Sequence, residues 1–137
     1  MTVDTYLQDQ WFKSAKAVEQ TAAAAVVTDA GAATYTAAQI LGGVILRDPN
    51  GAGRSDVLPT AALLIGAMRA PRIGDTIDVL IVNTADAAET ITIVAGSGGA
   101  FPTEQIAATR IIPQNTSRRV VIRVTGVGTA AAYVCVM

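Results

Sequence analysis

Apolar and polar positions alternate most regularly between Gly74 and Ala95, GDTIDVLIVNTADAAETITIVA. Ile77, Val79 and Ile81 alternate with Asp78, Leu80 and Val82, and Ile91 and Ile93 alternate with Thr90 and Thr92. Period-two spacing in residues this rich in Ile, Val and Thr predicts strands. The small, polar connection from Asn83 to Glu89 predicts that the two arms form a β-hairpin. The first arm is apolar on nearly both faces, which predicts a mid-sheet position with something covering each side. A second clean alternation, RRVVIRVT at Arg118 to Thr125, turns Val120, Ile122 and Val124 inward and Arg119, Val121 and Arg123 outward.

The remaining segments are shorter. Thr21 to Thr28 mixes alanines with Val26 and Val27 and is read as a strand, because the turn residues Asp29-Ala30-Gly31 follow. Thr36-Ala37-Ala38-Gln39 matches a capping box, with Gly42 at the stop, and predicts one helical turn over Ala37 to Leu41. Val44 to Arg47 is a short strand ended by the turn Asp48-Pro49-Asn50-Gly51. Gly51 to Asp56, carrying Arg54 and Asp56, reads as a loop. Leu58 to Met68 is the best helix, opened by Pro59 and apolar all round, hence expected to be buried on more than one side at an end or edge of the fold. Gly96-Ser97-Gly98-Gly99 reads as a flexible loop, Ile111-Ile112 as a short strand, and Ala130 to Met137 as the closing strand. Seven or eight short strands without long intervening helices predict an all-β fold, an antiparallel jelly-roll-like β-sandwich with one short buried helix. The domain is expected over residues 21–137, behind an N-terminal arm at residues 1–20.

That arm differs in content. It holds Tyr6, Trp11 and Phe12, three of the six aromatics, and both lysines, Lys13 and Lys16. Two readings stand: a short helix or tail packed on its own domain, or an extended arm that docks on a partner with Trp11 and Phe12 as anchors, since buried aromatics dominate interface energetics.

Composition narrows the function classes. A chain of 137 residues suits one domain able to bury about two-thirds of its unfolded surface. The net charge is -1, so no global field recruits nucleic acid or an anionic membrane. Charged residues make up only 15% of the chain, below the roughly 25% of average domains, which leaves much weakly polar surface and hints at assembly. No apolar run approaches the ~18 residues that span a bilayer, and MTVDTYLQDQ lacks the basic-then-apolar pattern of a secretion signal. The single cysteine, Cys135, excludes an intrachain disulfide framework and reads as a small buried residue of the last strand.

Catalytic chemistry finds few residues to use. There is no histidine, which removes Ser-His and Cys-His nucleophilic pairs and histidine metal sites. Asp75 and Asp78 lie three apart, on opposite sides of a strand. No loop gathers the several carboxylates of a calcium site, and the glycine-rich stretches lack the Gly-Lys-Ser/Thr ending of a phosphate loop. No catalytic, cofactor or metal residue is expected, and the chain does not read as an enzyme. Arg119 and Arg123 share the outward face of one strand, either as a solvated face or as a site for an acidic partner surface.

The runs Thr36-Ala37-Ala38-Gln39-Ile40-Leu41-Gly42-Gly43, Arg47-Asp48-Pro49 and Asp56-Val57-Leu58-Pro59-Thr60-Ala61-Ala62-Leu63 resemble small structural proteins of tailed bacteriophages. So do Gly74-Asp75, Asn83 to Thr90 and Asn115-Thr116-Ser117-Arg118-Arg119; together the likeness covers about residues 34–125. Related domains occur as head decoration (cement) proteins and within head or tail fibres. The resemblance implies a jelly-roll-like sandwich on the outer surface of the capsid of a virion, bridging subunits of the major capsid protein as a homotrimer or a homodimer, with neither nucleic acid nor membrane as partner. The arm would grip the shell, which makes Tyr6, Leu7, Trp11 and Phe12 the expected capsid contacts. The alternative is a receptor- or glycan-binding module of a fibre, for which Tyr35, Phe101 and Tyr133 are the stacking aromatics outside the arm.

Overall fold

The computed structural model describes residues 23–137. The arm at residues 1–20 and its four expected contacts lie outside the described residues. In chain order the elements are β1 (Ala25–Val27), α1 (Ala37–Gly42), β2 (Val44–Arg47), β3 (Arg54–Val57), α2 (Ala61–Ala67), β4 (Thr76–Asn83), β5 (Ile91–Val94), β6 (Gly99–Ala100), β7 (Ile111–Ile112), β8 (Ser117–Gly126) and β9 (Ala132–Val136). Two 3₁₀ turns, Ala107–Arg110 and Gly128–Ala130, precede β7 and β9.

Local chemistry sets the helices. At α1 the Gln39 amide donates to Thr36 Oγ1 at 3.2 Å, and the Thr36 amide donates to Gln39 Oε1 at 2.8 Å, so the capping box is complete. The left-handed stop is one residue later than expected: Gly43 takes φ 84°, and its amide reaches the Ile40 carbonyl. At α2, Thr60 caps the first turn by accepting from the Leu63 amide, with Pro59 just outside. Ala61, Leu64 and Ile65 are buried at i, i+3 and i+4, whereas Leu63 is 65% exposed. The helix therefore buries one stripe and leaves the other side open, contrary to the expectation from its uniform apolarity.

The antiparallel jelly-roll-like sandwich is not what forms. The chain is mixed α/β, with a six-stranded sheet in the order β1-β2-β4-β8-β9-β6 and a three-stranded sheet in the order β3-β5-β7. β1–β2, β2–β4, β6–β9 and β3–β5 are parallel pairs, and β4–β8, β8–β9 and β5–β7 are antiparallel. The physical reason is the crossovers. Parallel neighbours need a long connection, and α1 lies between β1 and β2, while β3 and α2 lie between β2 and β4.

The expected hairpin dissolves for the same reason. β4 sits mid-sheet, as its pattern predicted, but its neighbours are β2 and β8; β5 belongs to the other sheet. Asn83 redirects the chain there. Its buried side-chain amide donates to the Glu89 and Ile112 carbonyls at 2.8 and 3.0 Å and accepts from the Ala85 amide at 3.0 Å. Gly51 to Asp56 is not a plain loop either, since Arg54–Val57 form β3. Gly99, expected in a flexible loop, pairs with Tyr133 in the register of β6 and β9.

The core lies on one side of the large sheet. Ile45, Ile77, Val79, Ile81, Val120, Ile122, Val124, Tyr133 and Cys135 point into it and meet Ile40 of α1, Leu64 and Ile65 of α2, and Ile91, Ile93 and Ile112 of the small sheet. The inward set predicted for β8 is buried. Tyr133 fastens one end: its hydroxyl accepts from the Gly96 amide and donates to the Pro59 carbonyl, both at 2.9 Å. Where β8 turns toward β9 the register shifts between Val124 and Gly126, and a Cβ on Gly126 would overlap the Ala130 carbonyl oxygen. Gly126→Ala is expected to lose about 1–3 kcal/mol by overpacking. Gly66→Ala in α2, where a Cβ meets nothing within 4 Å, should gain about 0.5–1 kcal/mol. Urea denaturation of the two variants checks both signs.

Candidate functional site

The largest concentration of buried polar chemistry joins β2, β3 and the crossover from β1 to β2. Arg47 and Asp56 are both fully buried, with Nε to Oδ2 at 2.7 Å and Nη2 to Oδ1 at 3.1 Å, a bidentate pair. The rest of the guanidinium is also occupied. Nη1 donates to the carbonyls of Asp29 and Asp48, and Nη2 to that of Gly31. Arg47 thereby uses all five donors an arginine has. Asp56 accepts from both Arg47 nitrogens, from the Ala33 amide at 2.8 Å and from the Tyr35 hydroxyl at 2.8 Å, which fills its four acceptor sites.

The electrostatics match this geometry. Burial, reinforced by the Asp56 carboxylate, pushes the Tyr35 hydroxyl far above the usual phenol range. Burial works against the Arg47 charge, but the hydrogen bonds and charge of Asp56 outweigh it and hold the guanidinium pKa above its ordinary value. A perturbed cluster of this kind is a functional candidate on principle. Here no lone pair or N–H is left over for a ligand, so the cluster acts as an internal staple. Two buried polar atoms do lack a hydrogen-bond partner among the described residues, Glu89 Oε2 and Arg110 Nε. Glu89 Oε1 accepts from the Gly51 amide, and Arg110 lies over the Phe101 ring at 4.6 Å and donates to the Ile93 carbonyl.

A groove of about 530 Å³ opens beside α1 and α2, with Tyr35, Ala37, Leu58, Pro59 and Leu63 in its walls. Its hydroxyl residues include Thr36 and Thr60, whose oxygens already cap the two helices. That chemistry suits an apolar group and offers little to orient a polar substrate. No cluster of three or more Cys, Asp or Glu able to hold a metal occurs among the described residues. Tyr35 and Tyr133 are buried, and Phe101 is half-buried under Arg110. The stacking aromatics that a glycan module would present are thus turned inward.

Among the described residues, the outer face of the six-stranded sheet is open. Registered side chains build it row by row: Val26, Leu46, Val82 and Ser117; then Val44, Leu80 and Arg119; then Asp78, Val121 and Val136; then Thr76, Arg123 and Val134. Val26 is 68% exposed, Leu80 37% and Val136 41%. The expectation that both sides of β4 are covered is corrected here: Ile77, Val79 and Ile81 are buried, and Asp78 and Leu80 face solvent. Arg119 and Arg123 do share this outer face, and neither they nor Asp78 forms an ion pair among the described residues, where Arg47–Asp56 is the pair present.

No protein-family model matches the chain, and no curated protein or solved structure matches it. Sequence reasoning missed the Arg47–Asp56 staple. The signal available was Asp56 alternating with Ser55 and Val57 in a four-residue run, too short to separate from a loop.

Replacing Arg47 with Met leaves Asp56 buried without its counter-charge and is expected to cost about 3–5 kcal/mol or prevent folding. The same change at exposed Arg69 should stay within about 0.5 kcal/mol; urea titrations compare them. An alkaline limit follows from the buried acids. Desolvation pushes the Tyr133 hydroxyl and the Cys135 thiol each up to about 12. The folded state holds these protons while the unfolded chain releases them from about pH 9–10 upward, so stability is full below that range and falls as pH rises toward 12. The urea midpoint should drop between pH 8 and pH 11, and by less in Cys135→Ala.

Proposed function

We propose that this chain is a bacteriophage capsid decoration (cement) protein, which binds the outer surface of the major capsid shell and stabilises it by bridging capsomers. The observation that carries the reading is the outer face of the six-stranded sheet, exposed among the described residues, which marks a chain that works in an assembly. A domain whose Arg47–Asp56 cluster is satisfied internally, and whose outer sheet face sets exposed Val26, Leu80 and Val136 among Asp78, Arg119 and Arg123, has a surface suited to burial against other proteins. The resemblance of residues 36–63, 74–90 and 115–119 to tailed-phage structural proteins supports the same reading. Low charge and small side chains suit close, largely apolar contact. An oligomer repeats a weak single contact at each protomer, so avidity multiplies it. Within this proposal Tyr6, Leu7, Trp11 and Phe12 are the capsid contacts. The groove beside α1 and α2 offers a second apolar recess for a protruding side chain of the shell.

Quantitative mass spectrometry of purified virions is expected to find hundreds of copies per particle; a handful rejects decoration in favour of a fibre. Deleting residues 1–12 should leave the circular dichroism and urea midpoint unchanged and abolish binding to capsids. Truncated protein that still saturates capsids discards the four arm contacts.

A further inference from the structure

The outer sheet face carries a charge arrangement that a single copy leaves unused. In the register of β4 and β8, Leu80 stands opposite Arg119 and Asp78 opposite Val121. These four residues form a small square at the middle of the face. Asp78 and Arg119 occupy one diagonal, at the ~7–8 Å expected of diagonal neighbours on a sheet, and form no ion pair with each other. Leu80 and Val121 occupy the other diagonal. Around the square lie Val26, Val44, Leu46 and Val82 toward the β1 edge, Val134 and Val136 toward β9, and Thr76 and Arg123 beyond its Asp78–Val121 side.

This square is self-complementary under one operation. A two-fold axis lying in the interface, along the Leu80–Val121 diagonal, exchanges the positions of Asp78 and Arg119. It sets Asp78 of each copy against Arg119 of the other, twice, as an isologous contact requires. The same axis brings Leu80 and Val121 next to their own counterparts at the centre, where an interface is driest. Size agrees as well. Five strands of three, four, eight, ten and five residues, ~4.8 Å apart at ~3.3 Å per residue, give a face of roughly 480 Å² in projection. Once roughened by its side chains, such a face is of the order of the ~800 Å² per partner that a stable dimer buries. We infer that the outer face of the six-stranded sheet is the dimer interface of this protein, and that its occupant is the same face of a second copy. Two large sheets then stack back to back, with the small sheets and helices outermost and the grooves beside α1 and α2 on the two far sides of the dimer. Among the symmetric assemblies open to the chain, this geometry selects the two-fold one.

The test needs no capsid, so its outcome is separate from that of the decoration reading. Sedimentation equilibrium of the full chain is expected to show a dimer. Leu80→Asp, which sets two carboxylates against each other at the axis, should give a monomer with unchanged circular dichroism. Leu63→Asp, on the exposed side of α2, should leave the dimer intact. Asp78→Arg and Arg119→Asp should each weaken the dimer about tenfold or more, and the double variant Asp78→Arg/Arg119→Asp should restore it, because the swap recreates both contacts. This rescue keeps the test decisive even if Leu80→Asp fails to fold. A wild type that remains monomeric at every concentration, including one whose face is shielded by residues 1–22, overturns the inference. So does a dimer that ignores Leu80→Asp and shows no rescue by the charge swap.

Discussion

The fold depends on a charge that cannot face water. Arg47 is on β2 of the large sheet and Asp56 on β3 of the small one, and both are fully buried. An isolated buried charge is untenable, so the pair persists only because each member saturates the other's surroundings. The constraint reaches further than two side chains. The guanidinium collects the carbonyls of Asp29, Gly31 and Asp48, and the carboxylate collects the Ala33 amide and the Tyr35 hydroxyl. The crossover that lets β1 and β2 run parallel is thereby tied to the seam between the sheets. Hydrophobic burial supplies most of the driving force, but it is not directional. The staple decides which sheet β3 joins and where the crossover must pass.

Against that constraint, the parts legible in the sequence are the local ones. β4 and β8 declared themselves by alternation, α1 by its capping box, and Cys135 by its place on an apolar terminal strand. Pairing was not legible. Alternation tells which side of a strand is buried and nothing about its neighbour, so β4 and β5 looked like partners when Asn83 sends them to different sheets. β3 was hidden because a four-residue strand holding an arginine and an aspartate resembles a loop until Asp56 is seen to be buried. α2 misled in the opposite direction: an apolar residue such as Leu63 costs little on a surface, so uniform apolarity did not mean burial on all sides. The outer face became visible only with the register, which lines up Val26, Leu46 and Val82 from strands far apart in the chain.

The few buried polar groups, Arg47, Asp56, Asn83 and Glu89, sit within an otherwise apolar core, and the outer sheet face mixes aliphatic side chains with Asp78, Arg119 and Arg123. The groove beside α1 and α2 is largely apolar, and two of its threonines, Thr36 and Thr60, cap the helices. Within the decoration proposal, specificity in a chain with so few charged residues comes from register and shape.

The parallel run β1-β2-β4 also has a kinetic consequence. None of its neighbours is joined by a tight turn, so each pairing waits for the closure of a long loop, and topologies of this kind fold in milliseconds to seconds rather than microseconds. Throughout that interval the valine-rich strands of β4 and β8 are present without their final neighbours. A newly made chain is therefore most prone to misassociation before Arg47 finds Asp56, and yield during synthesis at high temperature or high expression will be governed by how quickly that one encounter is reached.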